Sequence, residues 1–219
     1  MINKIEKKEL EDIFLDVRKA YRLLFLYQQR VLSSIKYIKQ KLKLNKPSGS
    51  AYASFPIRQG KGELDNWAWD WLAMYHYEFY FGAVQNTSTH LAIWIISDSG
   101  LFEKHNISNG FDGRVLEIKN YAAPEESDTL VVFYASSDKT KLRYNQVSDF
   151  KTKNFRKNSV YVPYLQTNSA GEKFLSMSFP MSEFIDEEGI LKIVKTFVEK
   201  CKENGIEGIE IKTEEVKPT

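Results

Sequence analysis

The segment that decides the fold runs from residue 4 to residue 44 and reads KIEKKELEDIFLDVRKAYRLLFLYQQRVLSSIKYIKQKLKL. Alternate steps of four and three residues from Leu10 to Leu42 meet an apolar or aromatic side chain at nine of ten positions, the exception being Gln28. No Gly or Pro interrupts the segment. This spacing is that of one face of an α-helix with a heptad-like seam, so it predicts a long helix over residues 4–44.

The length of this helix bears on its surroundings. Forty helical residues span about 60 Å, whereas a compact domain of this size is roughly 45 Å across. A bent or broken helix in the core is the first expectation, and residues 21–32, which are apolar on most sides, are expected to be buried on more than one side. The alternative is a helix that extends past the body and binds a protein partner or a second copy of the chain as a homodimer.

The composition is that of an ordinary globular protein, with 42% hydrophobic and 27% charged residues. A formal net charge of +2 is too small for the field of the whole molecule to attract nucleic acid or a membrane. The single cysteine, Cys201, excludes an intrachain disulfide and a zinc site built from cysteines. The N-terminus has no apolar region typical of a secretory signal, and no apolar run is long enough to span a membrane, so a cytoplasmic location is expected.

The rest of the chain predicts an α+β fold in a single domain, residues 1–219. A loop rich in Pro and Gly is expected over residues 45–66, a sheet region over 67–180 and a second helix over 186–204. Strands are expected at residues 73–82, 90–97, 114–118, 128–135, 159–166, 173–179 and, weakly, 206–211. Most gaps between them are too short or too polar for crossover helices. The expected sheet is therefore mostly antiparallel, with five to seven strands packed against both helices.

Aromatic residues alternate along residues 67–81. Trp67, Trp69, Trp71, Tyr75, Tyr77, Phe79 and Phe81 all occupy odd positions. Alternation predicts a strand with one aromatic face. Such a face is either a core layer beneath a helix or the wall of a ligand site, and Trp67, Trp69, Trp71, Tyr75 and Tyr77 are the ligand-binding candidates.

The even positions of the same stretch carry polar groups. His76 and Glu78 lie on the opposite face of the predicted strand, about 7 Å apart along the chain, where they could ligate a metal or act as base and orienting group. Two ligands do not complete a site, so the favoured interpretation is that these groups line a solvated face or satisfy neighbouring backbone groups. No metal or cofactor is predicted, and motifs that bind nucleotide phosphates are absent from the sequence.

Two further patterns suggest contact with nucleic acid. Glu117 and Lys119 form a Glu-x-Lys pair, which resembles the metal-dependent nuclease pattern at those positions, with Asp98 or Asp112 as the upstream carboxylate. A basic stretch with interleaved aromatic rings is a candidate surface for anions or single-stranded nucleic acid. Its cations are Lys139, Lys141, Arg143, Lys151, Lys153, Arg156 and Lys157.

These observations lead to one functional hypothesis and two alternatives. The leading hypothesis is a non-catalytic binding module that engages a protein partner or itself through the long helix, and a ligand through the aromatic face. The alternatives are a metal-dependent nuclease that uses Glu117 and Lys119, and a protein that binds nucleic acid without cutting it.

Overall fold

The computed structural model describes residues 7–52, 76–84, 87–100, 122–137 and 160–212. Within them the chain forms two α-helices and six β-strands, together with short 3-10 turns. The elements are α1 (Lys7–Lys41), β1 (Ser48–Tyr52), β2 (His76–Ala83), β3 (His90–Ile96), β4 (Leu130–Ser136), β5 (Tyr164–Thr167), β6 (Lys173–Pro180) and α2 (Glu187–Glu203). The α+β prediction is confirmed.

The six strands form one sheet in the order β1-β2-β3-β4-β6-β5, and every neighbouring pair is antiparallel. The strands β3 and β4 lie in the middle, as their continuous apolar runs predict, and β4 is buried at all seven positions. A β-bulge between Tyr80 and Gly82 shifts the register of β2 against β3. The strands β5 and β6 are joined by a short turn and pair antiparallel, which makes them a hairpin.

Both helices cover the same face of the sheet. The core on that side joins apolar residues of the C-terminal half of α1, such as Ile35, to Phe197 and other residues of α2. The sheet contributes the odd residues of β2, among them Phe79, and alternate residues of β3, β4 and β6. A second, smaller buried cluster on the opposite face centres on Trp94 and Tyr134.

The helix α2 has the ends that the sequence predicts. The Asp186 side chain accepts a hydrogen bond of 2.8 Å from the backbone N–H of Gly189, which caps the N-terminus. Gly205 follows the helix with φ +70°, a backbone conformation that residues with a Cβ atom rarely adopt. Lys173 of β6 donates a hydrogen bond of 2.8 Å to the carbonyl oxygen of Asn204, so the end of α2 is tied to the sheet.

Several boundaries differ from the predictions. Residues 48–52 form the edge strand β1, although their Ser and Gly content predicted a loop; its pairing with β2 uses backbone groups and needs no apolar pattern. Residues 206–211 form no strand, but Ile206 and Ile209 are buried in the core. The predicted strand at residues 114–118 lies outside the described residues.

The helix α1 is continuous over 35 residues, where a broken or bent helix was the first expectation. At 1.5 Å per residue it is about 52 Å long. In the part of the chain that the structure describes, no helix is long and apolar enough to cross a membrane.

Candidate protein-binding surface on the first helix

The two halves of α1 lie in different environments. Every residue from 8 to 26 is exposed, on all sides of the helix, and we call this stretch the exposed half of α1. From Tyr27 and Gln28 to the end of the helix one side is buried, and on it Ile35 and Ile38 are 0% exposed. The exposed half is about 28 Å long.

The exposed half is rich in large apolar side chains. Ten of them are between 38% and 67% exposed. Seven lie on one side of the helix, the seam side: Leu10, Ile13, Phe14, Val17, Tyr21, Leu24 and Phe25. The seam residues follow alternate steps of four and three residues in the exposed half and in the buried half alike. One continuous seam is therefore covered by the sheet over its C-terminal part and exposed over its N-terminal part.

Three leucines lie on the other side of the exposed half. Leu15, Leu23 and Leu26 are 43%, 67% and 60% exposed. They do not continue the seam that the sheet covers, so they form a separate and smaller apolar group. They offer a matched set against which the seam side can be tested.

Charge is divided along the exposed half. Residues 9–16 contain four acidic residues and no basic one, whereas residues 17–26 contain three basic residues and no acidic one. With Lys8 included, the exposed half carries four charges of each sign and has no net charge. An ion pair of 2.8 Å joins Lys19 to Asp16 at the boundary between the two regions.

The junction between the two halves is marked by polar groups. The hydroxyls of Tyr27 and Ser97 are 3.1 Å apart and share a hydrogen bond, which ties α1 to the turn after β3. Burial raises the pKa of Tyr27, an effect that the hydrogen bond partly offsets. Gln28, 5% exposed, occupies the one polar position of the seam, and its side-chain nitrogen makes no hydrogen bond within the described residues. The seam is thus interrupted where the body begins to cover it.

The expectation for residues 21–32 is therefore wrong over its first half. Tyr21 and Leu24 are 55% and 40% exposed, whereas Val31 and Leu32 are buried. The side chains are of the same kind in both parts. Only the position of the sheet relative to the helix distinguishes them, and the local sequence does not carry that information.

The sheet face opposite the helices buries Glu78, which the sequence predicted to lie on a solvated face. Glu78 is 3% exposed and lies directly opposite Trp94 of the neighbouring strand. The Trp94 ring packs against the Tyr134 ring with centroids 4.6 Å apart. Burial, and after it the Glu78 carboxylate, raise the pKa values of Tyr134 and Tyr77. The expectation of a solvated face is wrong for Glu78, because this side of the sheet holds the second buried cluster.

No group of three or more candidate metal ligands occurs among the described residues. Two residues after Glu78 on β2, the Tyr80 hydroxyl lies 2.8 Å from the Nδ1 atom of His90 and is hydrogen-bonded to it. This pair lies on the same sheet face as Glu78, since Tyr80 is two residues along the same strand. His76 belongs to β2 as predicted.

The aromatic face of residues 67–81 is described only in its second half. Tyr77, Phe79 and Phe81 are at most 3% exposed and belong to the main core. These three residues therefore form a core layer beneath the helices, which is one of the two expected roles of the aromatic face. Trp67, Trp69, Trp71 and Tyr75 lie outside the described residues. A ligand site there remains a prediction.

The residues of the two nucleic-acid hypotheses are mostly outside the described residues too. This holds for Glu117 and Lys119 and for the basic set Lys139, Lys141, Arg143, Lys151, Lys153, Arg156 and Lys157. Asp98 lies in the turn after β3, where its carboxylate accepts a hydrogen bond of 2.9 Å from the backbone N–H of Gly100. That is ordinary turn geometry, and both hypotheses stay untested predictions.

A match to a protein-family model extends over residues 7–208, and the chain belongs to that family, which is described as PM0109. No curated protein and no solved structure matches the chain. The matched region includes both the exposed half of α1 and the body.

Proposed function

We propose that this chain is a non-catalytic binding module that holds a protein partner, or a second copy of itself, along the exposed half of α1. One observation carries the proposal: ten large apolar side chains are exposed on a single stretch of helix. The cytoplasmic location expected from the sequence is part of the proposal.

The size of the seam side supports a protein interface. An aromatic side chain offers roughly 150–250 Å² and an aliphatic one less, so the seven seam-side residues, at somewhat under half exposure, present on the order of 500 Å² of apolar surface. The largest apolar patch on a typical monomer is roughly 300–600 Å², and a standard interface buries about 800 Å² on each partner. The seam side together with its polar border reaches the size of an interface.

The absence of net charge on the exposed half favours a protein over a membrane surface. Helices that lie on anionic bilayers carry many Lys and Arg on their polar side, whereas here acids and bases balance. Apolar side chains that repeat every three to four residues are the pattern by which one helix packs along another.

The test is sedimentation velocity of the full chain over a range of concentrations. We expect the wild-type chain to self-associate and the seam variant Leu10→Gln/Phe14→Gln/Leu24→Gln to remain monomeric at the same concentrations. The matched control Leu15→Gln/Leu23→Gln/Leu26→Gln removes three apolar side chains from the other side and should associate as the wild type does. Equal loss in both variants would contradict the proposal, and a wild-type chain that stays monomeric throughout would rule out a second copy as the partner.

A further inference from the structure

We infer that the partner of the exposed half is a second copy of this chain, and that the two helices pair antiparallel with Leu10 of one copy opposite Tyr21 of the other. This inference rests on the proposed function and names its partner and geometry. It is carried by three observations: the division of charge along the helix, the flanks of the seam, and the point at which the body covers the seam.

The division of charge favours the antiparallel orientation. In the inferred antiparallel register residues 9–14 of each copy, which hold three acidic residues, lie along residues 17–22 of the other, which hold three basic residues. A parallel pair in register would place acids beside acids and bases beside bases. Opposite charges across a helix pair select the orientation because like charges at close range are destabilising.

The heptad positions of the seam set the register. Seam residues alternate between the two apolar positions of the heptad. In an antiparallel pair each of these positions faces the other one, so Leu10 meets Tyr21 and Phe14 meets Val17 of the second copy. The two-fold symmetry repeats each of these contacts. Four layers of large apolar side chains, all exposed in the single chain, are buried in this way.

The residues that border the seam agree with this register. On one side Glu11 lies next to Arg18 of the second copy, and symmetry produces this ion pair twice. Within one helix Glu11 and Arg18 are seven residues apart, about 10 Å along the axis, which is beyond the reach of an ordinary intrahelical pair. On the other side Ile13 lies next to Ala20, an apolar contact that is also repeated.

The neighbouring registers fit less well. A shift of one heptad places Leu10 opposite Gln28, where the body already covers the seam, and sets Arg18 against Arg18. A parallel pair in register sets Arg18 beside Ile13 and brings Glu11 no arginine. In the inferred register Lys7 lies opposite Leu24, so the described helix of each copy ends before it reaches the buried half of the other.

Cysteine cross-linking tests the orientation. Leu10→Cys and Tyr21→Cys are made as separate variants of the full chain with different tags, and each is oxidised alone and after mixing. In the inferred dimer two copies of Cys at position 10 are about 16 Å apart along the axis, too far for a disulfide. We expect cross-linked dimer in the mixture and little in either variant alone. The native Cys201 is buried and should not contribute.

Each other outcome overturns the inference in a distinguishable way. Efficient cross-linking of each variant with itself would show a parallel pair, which contradicts the inference and leaves the proposed function standing. Association without any cross-link, unaffected by the seam variant, would place the interface elsewhere and contradict both. A chain that stays monomeric but floats with anionic vesicles would also contradict both and would indicate a membrane surface.

Charge reversal provides a second test that does not need cysteines. Glu11→Arg turns two ion pairs of the dimer into two repulsive contacts, and we expect the dissociation constant to rise about tenfold. Adding Arg18→Glu in the same chain restores both pairs and should return the constant to within about threefold of wild type. Asp12→Arg is the matched control, because this position faces away from the seam. If the double variant is no tighter than either single variant, Glu11 and Arg18 are not neighbours in the dimer.

Discussion

Single residues of α1 differ in exposure between its buried half and its exposed half. Ile35 and Leu24 are both seam residues of α1, yet one is 0% and the other 40% exposed. Cys201 on α2 is fully buried beneath the same sheet face. The chemistry of each side chain is ordinary, and its environment decides whether it stabilises the body or remains available for binding.

Cys201 has a measurable consequence for stability at alkaline pH. Burial raises the pKa of its thiol to about 12. The folded chain therefore retains a proton that the unfolded chain releases near pH 9, so this contribution to stability is full below pH 9 and is lost as the pH rises toward 12.

We expect the free energy of unfolding to fall by up to about 1.4 kcal/mol per pH unit in this window because of Cys201 alone. Urea unfolding at pH 8 and pH 10 measures the fall. The variant Cys201→Ala lacks the thiol and should show a smaller decrease than the wild type. Some decrease should remain in both chains, because buried tyrosines with raised pKa values, such as Tyr134, also lose their protons more readily when unfolded. Equal decreases would mean that Cys201 does not titrate in this way.

At the scale of elements, α1 is one helix with a buried half and an exposed half. Its C-terminal half packs on the sheet beside α2 and belongs to the main core, while its N-terminal half forms the proposed interface. The same periodicity serves both, since a helix presents one side to whatever covers it. The folded body therefore fixes which residues of the seam face a partner.

Substitutions along the seam should distinguish the two halves. Ile35→Ala removes a fully buried side chain and should lower the free energy of unfolding by about 2–5 kcal/mol. Leu24→Ala should change it by no more than about 0.5 kcal/mol when measured at concentrations where the chain is monomeric, because its site is partly exposed. Denaturant unfolding monitored by circular dichroism measures both. A loss of several kcal/mol in Leu24→Ala would show that the exposed half packs against the body.

The helices were the most predictable elements. Periodicity alone locates α1, and Asp186 and Gly205 mark the ends of α2 because the caps use local chemistry. The edge strand β1 could not be predicted, since Ser48–Tyr52 pairs through its backbone and shows no apolar alternation. The burial of Glu78 was equally hidden, because it depends on Trp94 and Tyr134, which come from other strands.

At the scale of the whole molecule, both described helices pack on one face of a sheet whose central strands are buried on both faces, and the first half of α1 is exposed. The heptad pattern predicted the candidate interface, but the sequence could not show where along the helix the body stops. That limit depends on how far the sheet reaches, and hence on strand pairings between distant residues.

Association should make thermal stability depend on protein concentration. A dimer that forms only from folded chains stabilises the folded state by mass action, so the Tm of the wild-type chain should rise as its concentration increases. The seam variant Leu10→Gln/Phe14→Gln/Leu24→Gln should show a Tm that does not change with concentration. Differential scanning calorimetry over a hundredfold range of concentration measures this, and a constant Tm for the wild type would argue against a folded dimer.

The continuity of α1 also means that the proposed interface is conditional on folding. An isolated helix of about twenty residues is marginally stable in water, because forming its first turn costs more than the first hydrogen bond returns. In this chain the buried half provides the nucleus from which the exposed half can propagate. A nascent or damaged chain whose body has not formed would present a largely unstructured segment in place of a binding surface, so assembly would discriminate between intact and unfolded copies without any additional sensor.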